Sequence, residues 1–88
     1  MQPIPKNEFA RLVPVSKSTL LLWLRELRTD LTKLGQDVRG NCLNYLSCLY
    51  ICDKKIIDPK DIYPDATDEE LEKAYININK KLSKWETC

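Results

Sequence analysis

The sequence predicts an all-α or mainly α fold of about four helices, and three stretches carry that prediction. Apolar residues recur at the helical period over residues 20–34, and they do so again over residues 67–85. Residues 41–53 begin with a helix-capping asparagine and are otherwise apolar on nearly every side, which is typical of a central helix. We expect at most a short two-stranded wing beside these helices.

Composition limits the classes of protein to consider. The chain has 88 residues, 43% of them apolar, and only two glycines, which favours one folded domain over residues 1–88 and excludes a low-complexity chain. Its net charge of +1 does not by itself point to nucleic acid. Since neither a signal peptide nor a membrane-spanning run is recognisable, we expect a cytoplasmic protein with no membrane partner.

Residues 6–27 have the pattern of two helices joined by a tight turn. A first helix over residues 6–12 carries Ala10, a small residue that lets the second helix cross closely above it. Val15 is the apolar residue of the turn, and Ser16 is placed to cap the second helix with its hydroxyl. The stretch therefore predicts a helix-turn-helix.

The run from Phe9 to Trp23 resembles the helix-turn-helix of bacterial and phage DNA-binding proteins, such as excisionase-like and MerR-like domains, although Pro14 replaces their usual glycine. The resemblance implies a phage or mobile-element regulator of transcription, or an accessory factor, that binds double-stranded DNA. A domain this small would bind one half-site weakly, so a homodimer or cooperative binding is expected. The candidate DNA-binding residues are Ser16, Lys17, Ser18, Arg25, Arg28 and Arg39.

The second helix is expected to run for about eighteen residues to a stop at Gly35, with a break near Thr29 and Asp30. Its apolar face comprises Leu20, Trp23, Leu24, Leu27, Leu31 and Leu34. Leu21 and Leu22 lie outside this face, so they are either covered by another part of the fold or offered to a partner. The alternative function is therefore a protein-interaction module or inhibitor, of the anti-CRISPR or anti-repressor type.

The middle of the chain leaves two structural alternatives open. The glycine-bounded residues 35–40 could form a wing with Arg39 at its tip, but an ordinary loop is the favoured interpretation. Asn41 can cap a core helix over residues 41–53, although tyrosine and isoleucine also permit a strand over residues 45–52.

The last helix is expected over residues 67–85, with Thr67 as its cap. We expect it to pack over the helix-turn-helix. Its apolar face comprises Leu71, Ala74, Tyr75, Ile78, Leu82 and Trp85.

No catalytic or metal-binding pattern emerges from the sequence, so we expect neither an enzyme nor a cofactor. The chain lacks histidine, the usual general base, and has no glycine-rich phosphate loop. The acidic cluster at residues 65–72 suits the start of a helix. Cys42, Cys48 and Cys52 are expected to be buried, reduced and free of metal, and Cys88 to be exposed.

Overall fold

Five α-helices and one two-stranded sheet form the described part of the chain, residues 2–37 and 39–86 of a computed structural model, with side chains described through residue 83. The prediction of a small, mainly α domain is confirmed. In chain order the elements are β1 (Ile4–Pro5), α1 (Lys6–Leu12), α2 (Lys17–Glu26), α3 (Arg28–Lys33), β2 (Cys42–Leu43), α4 (Tyr45–Lys54), a 3₁₀ turn (Pro59–Asp61) and α5 (Asp68–Glu86).

The first two helices and their turn follow the predicted bounds. The Val15 amide donates to the Ala10 carbonyl at 2.8 Å, which closes the turn directly after α1. Ser16 caps α2, since its Oγ accepts from the Thr19 amide at 3.1 Å. Phe9 and Ala10 are buried, which lets α2 pack against α1.

The predicted eighteen-residue helix is in fact two helices. α2 ends at Glu26 and α3 begins at Arg28, so the break lies at Leu27 and not at Thr29 and Asp30. Leu27 has φ −97° and ψ 9°, outside the helical range, and it serves as the end of one helix and the start of the next. Trp23 and Leu27 are only half-buried; the fully buried members of the predicted face are Leu20, Leu24, Leu31 and Leu34.

Gly35 stops α3 as predicted. Its φ of +84° places it in the left-handed region, which glycine adopts without the steric penalty of a side chain. The Gly35 amide donates to the Thr32 carbonyl and the Gln36 amide to the Leu31 carbonyl, each at 3.0 Å. These two bonds satisfy carbonyls at the end of α3 and turn the chain away.

The two-stranded sheet is not the wing considered for residues 35–40. β2 pairs antiparallel with β1, which precedes α1, and Ile4 lies opposite Leu43. The Lys6 amide extends this pairing by donating to the Asn41 carbonyl at 2.8 Å. The strand paired with β2 is thus β1, which precedes the helix-turn-helix, and not a strand within residues 35–40. Arg39 therefore lies in a loop that leads into β2 and not at the tip of a wing.

The core helix α4 begins later than predicted. Asn44, not Asn41, is its cap, and its Oδ1 accepts from the Ser47 amide at 2.8 Å. The helical prediction for this segment is confirmed over the strand alternative, and residues 46–52 are all buried. Cys42 was expected to be buried in this helix, but it lies in β2 and is exposed; Cys48 and Cys52 are buried free thiols.

The helix α5 begins after the predicted cap, Thr67, but it packs against helices other than the predicted ones. The Glu70 amide donates to the Thr67 Oγ1 at 3.1 Å, and Leu71, Ala74 and Ile78 are buried. α5 packs mainly against α4 and α3, whereas the sequence favoured packing over α1 and α2. The reason is that α4, apolar on nearly every side, occupies the centre. The side chain of Trp85 lies outside the described residues.

Gln36 holds the loop between α3 and β2 in place. Its side chain is buried, and its Nε2 donates to the carbonyls of Asp37 at 2.8 Å and of Cys42 at 2.9 Å. Its Oε1 accepts from the Asn44 amide at 2.8 Å. One amide side chain thus satisfies three backbone groups, and it fixes the loop that carries Arg39.

Candidate functional site

A basic surface cavity of about 330 Å³ lies where α1, α2, α3 and the loop before β2 meet. Four of its six lining residues are cationic, and none is acidic. We call it the basic cavity; its lining residues are Lys6, Leu21, Leu24, Arg25, Arg28 and Arg39.

Local structure explains how the four cations come together. Arg25 lies in the last turn of α2, and Arg28 is the first residue of α3, just beyond the break at Leu27. Arg39 arrives from the loop that Gln36 fixes. Lys6 opens α1, and its backbone amide is bonded to Asn41 beside the same loop. The β1–β2 pairing therefore brings Lys6 and Arg39 to one cavity.

The guanidinium groups of the basic cavity form no ion pair with a described carboxylate. Among the side chains of residues 2–37 and 39–83, no carboxylate lies within 4.0 Å of the Arg25, Arg28 or Arg39 guanidinium. Residues 1–41 contain seven Lys and Arg against four Asp and Glu, and each of these carboxylates already has a partner. The pairs are Glu8 with Arg11, Glu26 with Lys55, Asp30 with the Tyr50 hydroxyl, and Asp37 with the Arg39 amide.

This arrangement concentrates positive charge in a chain of nearly zero net charge. Arginines that line a concave surface without an ion-pair partner raise the local potential and attract anions. Guanidinium groups bind phosphate or carboxylate oxygens with two parallel hydrogen bonds. The chemistry that the basic cavity can perform is therefore anion binding.

Three of the six candidate DNA-binding residues line the basic cavity: Arg25, Arg28 and Arg39. Ser16, Lys17 and Ser18 are exposed at the start of α2 but do not line it. The Ser16 hydroxyl also has a structural role, because it donates to the Thr19 Oγ1 at 2.9 Å while it caps the helix. Ser16 is thus better explained as a cap than as a ligand-binding residue.

Lys6 is the lining cation that the sequence did not reveal. As the first residue of a short helix, it had the pattern of an ordinary solvated lysine. Its place in the basic cavity depends on the pairing of β1 with β2, two strands of two residues each. No local pattern in so short a segment indicates which distant segment it pairs with.

The two leucines outside the buried face of α2 are exposed, so of the two alternatives left open they are not covered by another part of the fold. Leu21 is 48% exposed and lines the basic cavity, whereas Leu22 is 60% exposed and lies outside it. The basic cavity therefore combines apolar side chains with cations. Leu22 provides a separate apolar contact point on the same helix.

The buried thiols are unreactive at neutral pH. Burial raises the pKa of Cys48 to about 12, and burial, followed by nearby negative charge, raises the pKa of Cys52 to about 12. Both therefore remain protonated at neutral pH, and a protonated thiol is a poor nucleophile and metal ligand. In the described residues, no cluster of three or more His, Cys, Asp or Glu could hold a metal ion.

Two further observations concern a membrane-spanning helix and the similarity of the chain to known proteins. Among the described residues, no helix has the length and apolar character needed to cross a bilayer. No family model, no curated protein and no solved structure matches the chain. The helix-turn-helix resemblance of residues 9–23 thus stays a prediction. The basic cavity is the structural feature that bears on function.

Proposed function

We propose that the protein binds double-stranded DNA through the basic cavity, as a small regulator or accessory factor of a phage or mobile element. The observation that carries the proposal is the convergence of Arg25, Arg28 and Arg39 on one cavity, with no described carboxylate within 4.0 Å of their guanidinium groups. The phage or mobile-element context comes only from the family resemblance of residues 9–23.

The positions of the arginines suit two kinds of DNA contact. In a helix-turn-helix protein the second helix enters the major groove, so Arg25 of α2 is the candidate for a bidentate contact with guanine. Arg28 and Arg39 lie beyond the end of this helix and suit backbone phosphates. Phosphate contacts supply affinity and orientation, and a base contact adds sequence preference.

The lining residues favour duplex over single-stranded nucleic acid. Proteins that bind single strands stack bases on aromatic side chains, and this stacking provides much of their affinity. None of the described residues that line the basic cavity is aromatic. The ring of Trp23 is instead covered by Lys55, whose Nζ lies 5.5 Å from the ring centroid.

Fluorescence anisotropy with a mixed-sequence duplex, and with a single strand of equal length, tests this proposal. We expect tighter binding of the duplex, and a loss of affinity in Arg25→Gln or Arg39→Gln with the fold unchanged by circular dichroism. Arg11→Gln is the matched control, because Arg11 is exposed on α1, pairs with Glu8 and does not line the basic cavity. Equal affinities of all three variants and wild type would reject the proposal.

The exposed leucines support a second candidate, a protein-interaction module or inhibitor of the anti-CRISPR or anti-repressor type. A partner with an apolar side chain among carboxylates would fit Leu21 and the arginines together. In that case Leu21→Ser and Leu22→Ser would abolish association, while loss of single arginines would mainly slow it. If the protein instead binds duplex DNA, loss of the arginines should weaken binding more than loss of the leucines.

A further inference from the structure

A second cavity, of about 400 Å³, lies on the outer side of α3. It is lined by Arg28, Thr29, Thr32 and Lys33, and it adjoins the basic cavity because Arg28 lines both. Positions 28, 29, 32 and 33 share one side of a helix, whereas Leu31 and Leu34 are buried on the other side.

The charges of this second cavity favour an anion. Arg28 and Lys33 are two of its four lining residues, and neither is within ion-pair distance of a carboxylate among the described residues. Asp30 belongs to the same helix, but it does not line the cavity and accepts a hydrogen bond from Tyr50 of α4. The one carboxylate of α3 is thus engaged elsewhere.

The two threonines have different hydrogen-bonding states. The Thr32 hydroxyl donates to the Arg28 carbonyl at 2.9 Å, which fixes its rotamer. Thr29 is exposed, and its hydroxyl makes no hydrogen bond within the described part of the chain, so it can donate to a ligand. Two cations and a free hydroxyl are the groups that proteins commonly direct at phosphate oxygens.

We propose that this second cavity is a phosphate subsite that takes a further phosphate of the DNA strand held in the basic cavity. The inference rests on the proposed function and extends it to α3. Lys33 is five positions after Arg28, which is about 7.5 Å along a helix axis. Successive phosphates of one strand advance about 3.4 Å along the duplex axis, so with α3 lying along that axis the two cations can meet phosphates about two steps apart.

Two probes test the subsite separately from the proposed function. With a duplex, Lys33→Gln should make the slope of log K against log salt concentration shallower by about one unit, with the fold retained. With sodium pyrophosphate, the amide resonances of Thr29 and Thr32 should shift in wild type and much less in Lys33→Gln. Lys80→Gln is the matched control, since Lys80 is exposed on α5 and lines neither cavity.

The outcomes separate the two proposals. Lys33→Gln with wild-type duplex affinity and salt slope would overturn the subsite, while binding that depends on Arg25 would leave the proposed function standing. Wild-type protein that shifts Thr29 and Thr32 with pyrophosphate but does not bind a duplex would support a phosphate subsite and reject the proposed function. An absence of both responses would overturn both.

Discussion

The hydroxyl of Tyr50 in α4 donates a hydrogen bond to the Asp30 carboxylate in α3, twenty residues earlier in the chain. This bond ties α3, which begins with Arg28, to the central helix of the fold. Burial, together with the bonded Asp30 carboxylate, raises the pKa of the Tyr50 hydroxyl well above its usual value, so the hydroxyl stays protonated at neutral pH. The bond orients α3 and occupies one oxygen of its single carboxylate, which keeps its negative charge.

Tyr50→Phe is expected to lower the free energy of unfolding by about 1.5–3 kcal/mol, because it removes a hydrogen bond to a charged, half-buried group. Urea denaturation measures the loss. Adding Asp30→Asn to Tyr50→Phe should restore part of it, because no unpaired charge then remains. Wild-type stability in Tyr50→Phe would show that the bond contributes nothing.

The substitution Ile56→Gly is expected to increase the stability of the protein. It has φ +56°, in the left-handed region that β-branched residues rarely adopt, and its side chain is 95% exposed. Relief of the backbone strain, less the extra freedom of glycine in the unfolded chain, should raise the free energy of unfolding by about 0.5–1 kcal/mol. Ile56→Ala, which keeps a Cβ, should gain less. A lower stability of Ile56→Gly would contradict this explanation.

Stability should decline above about pH 9 because of the buried thiols. An unfolded cysteine ionises near its ordinary pKa of 9.0, whereas Cys48 and Cys52 keep their protons up to about pH 12 in the fold. The contribution of these two protonated thiols to the free energy of unfolding is therefore complete below pH 9.0. It is lost progressively as the pH rises toward 12. Each thiol adds at most about 1.4 kcal/mol per pH unit to the loss.

Urea denaturation under reducing conditions, at several values between about pH 8 and pH 10.5, measures this slope. Cys52→Ala should make the decline less steep, while its stability at neutral pH falls because of the small cavity. Cys42→Ala is the control, since Cys42 is exposed and should leave the pH dependence unchanged. A decline that is equally steep in Cys52→Ala would exclude that thiol as a cause.

Features set by short-range chemistry could be predicted from the sequence. The bounds of α1 depend on Pro5 before it and on the turn after it, and the Ser16 cap and the Gly35 stop are each decided within a few residues. The position of Leu21 and Leu22 outside the buried stripe of α2 could also be predicted, although their exposure could not. Arg25 and Arg28 were identified as candidates for the same reason.

Features that depend on distant contacts could not be predicted. The pairing of β1 with β2 joins segments on either side of the helix-turn-helix, and it brings Lys6 to the basic cavity and leaves Cys42 exposed. Gln36 had the pattern of a loop residue, yet it is buried because three backbone groups bond to it. A break in the long helix was expected near Thr29 and Asp30 but lies at Leu27, because the continuous leucine repeat does not mark its position.

The salt dependence of duplex binding, measured by anisotropy, tests most directly whether the basic cavity binds DNA phosphates. We expect the slope of log K against log salt concentration in the triple variant Arg25→Gln, Arg28→Gln, Arg39→Gln to be shallower than in wild type. The difference should be up to about 2.7 units, if each arginine neutralises one phosphate. Arg11→Gln should keep the wild-type slope. A triple variant that folds and binds the duplex with unchanged affinity and slope would contradict DNA binding by this cavity.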